Sequence, residues 1–263
     1  MPHGFVRGLA KRAGELQLSR YGRPAGVREK GLKDLVTEVD LLCEELLVSA
    51  IAERYPQDGI LAEERGGKIS SADRTWVLDS LDGTANFSRG NPLFCASVSI
   101  VDKGKAAHTA VSIPLLGDPY HAATGGGAWR ESRGATTPLR VTDTRALGYP
   151  CFRSGLRRIG QLLLRPQPRP LEVRRRPALR LPLGAALLGQ FGHPRGVDRR
   201  GPPGRVGRRT ERCAWDRAPT VLLVLEAGGR GTDLVGKPWT FASDGLLTIA
   251  GLLYDRVIET ISG

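Results

Sequence analysis

The chain has 263 residues, of which 40% are hydrophobic, and its formal net charge is +12. That length can bury a sizeable core, and that composition excludes wholesale disorder and a collagen-like structure. No window approaches the roughly 18 consecutive apolar residues of a membrane helix, and the N-terminus lacks the apolar stretch of a signal peptide. The sequence therefore predicts a globular protein that does not enter the membrane.

The chain alternates between helical and strand patterns, except in residues 151–212. Apolar residues at helical spacing predict helices over residues 5–22, from Thr37 as N-cap to Pro56 as stop signal, from Asp216 to Gly228, and over residues 245–261. Short apolar runs predict buried strands at residues 60–62 and 75–78, and a hairpin of residues 93–101 and 106–115.

The positive charge is concentrated in residues 151–212. This segment contains sixteen arginines, no lysine and three acidic residues, whereas the other 201 residues sum to −1. It also holds eight of the 18 prolines, which disfavours helices and central strands. Two hypotheses stay open: a pair of compensating frameshifts in a GC-rich coding sequence, and a genuine basic insert that binds nucleic acid or an acidic partner. Translating the nucleotide sequence in all three frames distinguishes them.

The composition of this segment limits what it can bind. Aromatic residues are nearly absent from it, so it offers no platform on which bases could stack. We therefore expect at most weak, non-specific binding of nucleic acid that falls steeply with salt.

The four cysteines lie 52 or more residues apart, with no CxxC pair and no clustered histidines beside them. This spacing argues against a zinc site and against a disulfide framework. It favours a reducing compartment, and we therefore expect a cytoplasmic protein.

Acidic residues cluster at the ends of predicted elements. The clusters are Ala62-Glu63-Glu64-Arg65-Gly66-Gly67, Asp79-Ser80-Leu81-Asp82-Gly83-Thr84, and Trp215-Asp216. In the second cluster a buried strand delivers two carboxylates three residues apart, which is electrostatically unfavourable unless cations neutralise them. Hard oxygen ligands suit Mg²⁺, and the backbone N–H groups of Gly83 and Thr84 suit a phosphate. The alternative is a surface turn in which both aspartates are solvated.

The order AEERGG, WVLDSLDGTANF and WDRA…LEAGG resembles the inositol monophosphatase family of Mg²⁺-dependent, lithium-sensitive phosphatases. The stretch from Lys30 to Asp40 resembles the family's KxxxDLVTEVD segment, and Gly117-Asp118-Pro119 and Gly125–Trp129 resemble a later segment. The similarity covers roughly residues 5–145 and 213–261. It implies an α+β fold, a layered αβαβα sandwich in a single domain over residues 1–263, and a homodimer.

The resemblance also implies roles for particular residues. Two or three Mg²⁺ ions activate water in an in-line displacement on a small phosphorylated substrate. The implied metal ligands are the side chains of Glu63, Asp79, Asp82 and Asp216 and the carbonyl of Leu81. Glu63 and Thr84 are implied to act on the attacking water, Gly83 and Thr84 to hold the phosphate, and Asp216 to contact the substrate.

The resemblance favours inositol 1-phosphate as substrate. Histidinol phosphate, fructose 1,6-bisphosphate and 3′-phosphoadenosine 5′-phosphate stay open, because the resemblance stops at residues 151–212, where the family recognises the sugar. An inactive protein or a nucleic-acid-binding protein is the alternative outside the class of phosphatases.

Two local departures from the family pattern matter for the backbone. Ser80 stands where the family has proline and is expected to loosen its loop, while Pro219 falls in a first helical turn that tolerates it.

Overall fold

The computed structural model describes residues 2–23, 27–31, 34–67, 69, 74–132, 134–141, 214–233, 235–241, 243, 246–249, 254 and 255. The α-helices are α1 (Pro2–Arg20), α2 (Glu38–Arg54), α3 (Thr84–Ser88) and α4 (Ala214–Glu226). The strands are β1 (Val27–Gly31), β2 (Asp34–Thr37), β3 (Gly59–Ala62), β4 (Thr75–Asp82), β5 (Cys95–Asp102), β6 (Lys105–Ile113), β7 (Asp118–Ala123), β8 (Gly127–Ser132), β9 (Ala135–Pro138), β10 (Arg230–Thr232) and β11 (Leu247–Ile249). The two hypotheses for residues 151–212 lie outside the described residues.

Seven strands form one sheet in the order β3-β4-β5-β6-β7-β8-β9. β3 runs parallel to β4, and every later neighbour in this sheet is antiparallel. β5 and β6 are the predicted hairpin, with Lys103 and Gly104 in the left-handed conformations that its tight turn requires. The mixed topology brings the carboxyl end of β4 to the interior of the sheet, between β3 and β5.

Helices cover both faces of this sheet. α1 and α2 pack against a core that includes Trp76 and Leu78. The intervening Val77 points the other way, into a cluster with Trp215 and Ala218 of α4. Because side chains alternate along a strand, α4 lies on the face opposite α1 and α2. The predicted α+β class is confirmed, and these layers are the first α, β and α layers of the predicted αβαβα sandwich.

The predicted start of α2 is confirmed at atomic level. The Thr37 side chain accepts from the backbone N–H groups of Val39 and Asp40, and the Asp40 carboxylate accepts from the Thr37 N–H at 2.8 Å. This reciprocal capping satisfies donors that the first helical turn leaves unpaired. It also buries Asp40, which is 2% exposed, at the edge of the acidic clusters.

Two local expectations are corrected. The prediction of a helix from residue 245 is wrong, because Leu247–Ile249 form β11, paired antiparallel with Arg230–Thr232. Strand pairing with β10 overrides the weak helical pattern of this short apolar run, and only Tyr254 and Asp255 are described as helical further on. Pro219 lies inside α4 rather than in its first turn, and the helix nevertheless continues to Glu226.

No helix among the described ranges has the length and apolar character needed to span a membrane.

Candidate metal centre and active site

The site begins at an irregularity near the end of β4. The pairing of β4 with β5 joins Asp79 to Ser97 and then Asp82 to Cys95, so that Ser80 and Leu81 together face one residue of β5. Such a bulge bends the strand and redirects its side chains. Regular alternation would place Asp79 and Asp82 on opposite faces of the sheet, and the bulge allows both to reach the same cavity.

Asp79 is the most deeply buried of the site carboxylates. It is 2% exposed, and its Oδ1 atom has no hydrogen-bond partner. Burial raises the pKa of Asp79 well above its ordinary value, and the nearby carboxylates of Glu63, Asp82 and Asp216 raise it further. The structure therefore brings the other three carboxylates selected from the sequence close enough to Asp79 to act on it electrostatically.

Asp82 is similarly perturbed. Burial, followed by the negative charge of Asp216, raises the pKa of Asp82 to about 8. Hydrogen bonds from the Cys95 thiol, at 3.8 Å, and from the Gly83 backbone N–H oppose the rise. Without a cation, this carboxyl group is therefore largely protonated at neutral pH.

Asp216 approaches these aspartates from the other side of the cavity. It lies in the first turn of α4, and with Asp79 and Asp82 it lines a cavity of about 20 Å³. Such a volume holds about one water-sized particle, since a single water needs roughly 10–15 Å³ on this measure. Trp215, Pro219 and neighbouring residues complete the wall. The helix and the strand bulge thus meet around a space of ionic size.

Glu63 follows β3 in a short turn whose backbone is fixed from α2. The buried carboxylate of Glu44 accepts from the backbone N–H groups of Glu64 at 2.9 Å and of Arg65 at 3.1 Å. Paired backbone hydrogen bonds between Ala62 and Gly66 close the same turn. Glu44 therefore holds the segment that carries Glu63, a role that the sequence analysis did not detect.

Thr84 begins α3 and is bonded to α2. Its hydroxyl lies 2.8 Å from Asp40 Oδ1 and 3.0 Å from the Leu81 carbonyl oxygen, both of which can accept its proton. From the sequence, Asp40 was recognised only as the end of the Lys30–Asp40 stretch that resembles the family, and its pairing with Thr84 was not predicted. The Thr37-x-x-Asp40 capping pattern shows that Asp40 is fixed locally, but its contact with Thr84 spans 44 residues.

Gly83 is required by the geometry of this corner. Its φ is +87°, and a Cβ atom there would lie 2.7 Å from the Leu93 carbonyl oxygen and 3.2 Å from Phe94 Cα. Both the left-handed backbone and the close approach of the two residues that precede β5 exclude a larger residue. The glycine lets the chain turn directly from β4 into α3, which places Thr84 beside the aspartates.

The residues present fit a hard divalent cation. Buried carboxylates with raised pKa values, an unpartnered Asp79 oxygen, and a Leu81 carbonyl with a second lone pair form an all-oxygen donor set. Within the described ranges, no three His, Cys, Asp or Glu side chains stand in an arrangement that could hold a metal ion. Mg²⁺ does not require three, since it usually keeps several waters and takes one or two carboxylates.

This arrangement of strand bulge, facing helix and carboxylates defines an α+β protein with an acidic cavity whose oxygen donors suit a hard cation. A profile described as the inositol monophosphatase family matches residues 4–154. A relative from Thermotoga maritima, fructose-1,6-bisphosphatase/inositol-1-monophosphatase, is 30% identical over 97% of this chain and 93% of its own length. The chain belongs to the inositol monophosphatase family, and the resemblance seen in the sequence is confirmed.

Two further comparisons extend this result. The Nus factor SuhB of Pseudomonas aeruginosa is 32% identical over 87% of this chain and 83% of its own length. The solved structure of a Thermotoga maritima IMPase matches with a TM-score of 0.72 and 26% identity, covering 98% of this chain and 96% of that one. The family and the Thermotoga maritima relatives support a phosphatase with the sandwich fold, whereas the Pseudomonas aeruginosa relative is named as a Nus factor.

Proposed function

We propose that this protein hydrolyses small phosphate monoesters in a Mg²⁺-dependent reaction, with inositol 1-phosphate as its preferred substrate. The observation that carries the proposal is the convergence of Asp79, Asp82 and Asp216 on one cavity of ionic size. The alternative, a solvated surface turn, would expose these aspartates to water. In the structure, burial and mutual repulsion instead raise the pKa values of Asp79 and Asp82. The protein bears that electrostatic penalty because a cation removes it.

The cation ligands follow from the donor atoms. Asp79, Asp82 and Asp216 supply carboxylates at the cavity, Glu63 supplies one from the turn after β3, and Leu81 supplies its carbonyl. When bound, Mg²⁺ neutralises these charges, acidifies water and polarises the phosphate ester. We propose two or three ions, as the family resemblance implies, each held by one or two of these carboxylates, and the cavity of about 20 Å³ would hold one of them.

Thr84 and Asp40 orient the attacking water. Because the Thr84 hydroxyl donates to Asp40, its oxygen keeps lone pairs that can accept a hydrogen bond from that water. Burial raises the pKa of Asp40, opposed by hydrogen bonds from Thr37 and Thr84, and this makes the carboxylate a better proton acceptor. The water attacks phosphorus and gives up a proton, the ester P–O bond breaks with its electron pair on the leaving oxygen, and the leaving alkoxide takes up a proton, so that no net proton is gained or lost. The products are the free alcohol and inorganic phosphate.

The substrate binds at the mouth of the cavity. A volume of about 20 Å³ cannot admit a phosphate ester, so the phosphoryl group must lie above the carboxylates. There the backbone N–H groups at the start of α3, at Gly83 and Thr84, would hold its oxygens, the Gly83 N–H being shared with the Asp82 carboxylate, and Asp216 would contact the leaving group. We further propose a cytoplasmic homodimer, and the thiols of Cys43 and Cys95 are free and buried, as a reducing compartment allows.

The test is release of inorganic phosphate, measured colorimetrically with malachite green. Inositol 1-phosphate, histidinol phosphate, fructose 1,6-bisphosphate and 3′-phosphoadenosine 5′-phosphate are compared at equal concentration, with millimolar Mg²⁺ and with EDTA. We expect the highest kcat/KM on inositol 1-phosphate, loss of activity with EDTA, and inhibition by Li⁺ or Ca²⁺. Activity undiminished by EDTA would refute the metal-dependent reaction. A higher kcat/KM on another ester would replace the substrate and keep the chemistry.

A further inference from the structure

Gln17 is an uncharged polar side chain in the middle of the core. It lies on the inner face of α1 and is 0% exposed. Its amide nitrogen donates to the Ser80 carbonyl at 2.7 Å and to the Cys95 carbonyl at 3.1 Å. Both N–H groups of the amide are therefore used, each on a different strand of the sheet.

The two carbonyls belong to the bulge that shapes the site. Ser80 lies between Asp79 and Asp82 on β4, and Cys95 is the residue of β5 that pairs with Asp82. A bulge locally disrupts the ladder of backbone hydrogen bonds, so its carbonyls need other partners when they are buried. Gln17 is such a partner, and it joins the two strands at the point where their pairing shifts.

A second contact holds the same bulge from α2. The Ser80 hydroxyl donates to the Asp40 carbonyl at 3.0 Å, and Ser80 is 2% exposed. The expected loosening at Ser80 is thus opposed on two sides, by Gln17 and by α2. The bulge would otherwise be free to relax, because the repulsion among the carboxylates of Asp79, Asp82 and Asp216 favours separating them.

Stability alone does not account for a glutamine at this position. The Oε1 atom of Gln17 is buried and has no hydrogen-bond partner. A buried acceptor without a partner destabilises the folded protein, and each such group calls for an explanation. The two hydrogen bonds that Gln17 donates to the bulge explain why a glutamine stands at this position.

We propose that Gln17 is a positioning residue of the metal centre, whose amide holds the β4 bulge in the shape that turns Asp79 and Asp82 towards one cavity. This inference rests on the proposed function, since it presumes that these aspartates bind a cation. Gln17 does not touch the cation or the substrate. It acts through the backbone of the strands that carry the ligands.

The test uses the full chain and compares Gln17→Met with Val6→Ala. Methionine keeps the length of the side chain and removes both donors. Val6 is a buried residue on the same helix, 11 positions before Gln17 and therefore about 16 Å from it along the helix axis. Its truncation weakens the packing of α1 in the core without removing a hydrogen bond to the bulge. Mn²⁺, which also prefers carboxylate oxygens, is titrated while the free ion is followed by electron paramagnetic resonance. The melting temperature and the Mg²⁺ concentration for half-maximal activity are measured on the same samples.

Gln17→Met is expected to weaken Mn²⁺ binding by about 10-fold, in the range typical for loss of a residue that supports metal ligands. The half-activating Mg²⁺ concentration should rise in parallel. Val6→Ala is expected to bind Mn²⁺ within about 2-fold of the wild type, even where it lowers the melting temperature as much or more. If Gln17→Met does not fold, Gln17→Asn takes its place, because the shorter amide does not reach both carbonyls.

Mn²⁺ binding by the Gln17 variant within about 2-fold of the wild type, whatever its melting temperature, overturns the positioning role. Equal weakening in the Gln17 and Val6 variants also overturns it, since this would indicate a general effect of α1 packing. A wild-type chain that binds no Mn²⁺ at millimolar concentration overturns the proposed function itself. The two failures are thereby distinguished.

Discussion

Replacing Asp82 by asparagine should stabilise the metal-free protein while abolishing Mg²⁺-dependent hydrolysis. Burial and the charge of Asp216 raise the pKa of Asp82 to about 8, so at pH 7 the folded protein must bind a proton that the unfolded chain does not. Asparagine is neutral in both states, and it keeps an oxygen that can accept from the Gly83 N–H. The free energy of unfolding of the metal-free variant should therefore increase.

The magnitude follows from the pKa difference. An unfolded aspartate titrates near 3.9, roughly three units below pH 7, and each unit corresponds to about 1.4 kcal/mol. The penalty that asparagine removes is therefore about 4 kcal/mol. If lost hydrogen bonding offsets half of it, about 2 kcal/mol remains, which raises Tm by about 4–8 °C in a protein of this size.

The same pKa shift predicts a direction with pH. Because the pKa in the folded state is the higher one, the metal-free wild type should lose stability as pH rises from about 4 towards about 8, and Asp82→Asn should lose less. Differential scanning calorimetry in EDTA and in saturating Mg²⁺ measures both effects. Mg²⁺ should raise the Tm of the wild type more than that of the variant.

Asp102→Asn is the matched control, because Asp102 is an exposed aspartate at the end of β5. We expect it to change neither the metal-free Tm nor turnover appreciably. A lower metal-free Tm for Asp82→Asn, or turnover close to that of the wild type, would contradict the assignment of Asp82 to a cation site whose carboxylates repel one another.

Three other measurements examine separate parts of the structure. Thr84→Ala should lower kcat about 100-fold or more, whereas Thr84→Ser keeps the hydroxyl and should stay within about 10-fold; equal losses in steady-state kinetics would remove the hydroxyl from the reaction. Burial, with the charges of Arg7 and His3, lowers the pKa of His121 to about 4, so this group should reduce stability by up to about 3 kcal/mol as pH falls from about 6.5 to about 4. His121→Gln should then flatten the acid limb of a Tm–pH profile, and an unchanged limb would contradict this. DNA binding through residues 151–212 should be weak and fall steeply with salt in fluorescence anisotropy, and tight sequence-selective binding at physiological salt would favour a nucleic-acid role instead.

The candidate ligands on β4 were predictable because their signal is local. A buried strand that ends in two aspartates and a glycine predicts by itself a turn that gathers negative charge. Asp216 was different, since nothing in the residues around it indicates which strand it faces. The family resemblance assigned it to the site, and the packing of α4 against the sheet places it beside Asp79 and Asp82 in the structure.

The contacts that organise these ligands were not predictable in the same way. The partners of Thr84, Glu64 and Ser80 lie 44, 20 and 63 residues away in the sequence, on helices whose docking no local pattern specifies. The predicted helix at the residues of β11 was wrong for a related reason. Its three residues fit a helical pattern, and only pairing with β10 makes them extended.

Gln17 lies between these two cases, because one signal for it was present in the sequence. It follows Ala10 and Ala13 at helical spacing on the buried stripe of α1, where every other buried side chain is apolar. A glutamine on such a stripe must find partners on the surface that the helix covers, since an unbonded buried amide is strongly unfavourable. The periodicity of the helix could therefore have predicted that Gln17 bonds to the sheet, but the register of the sheet was needed to show that it bonds to the bulge between Asp79 and Asp82.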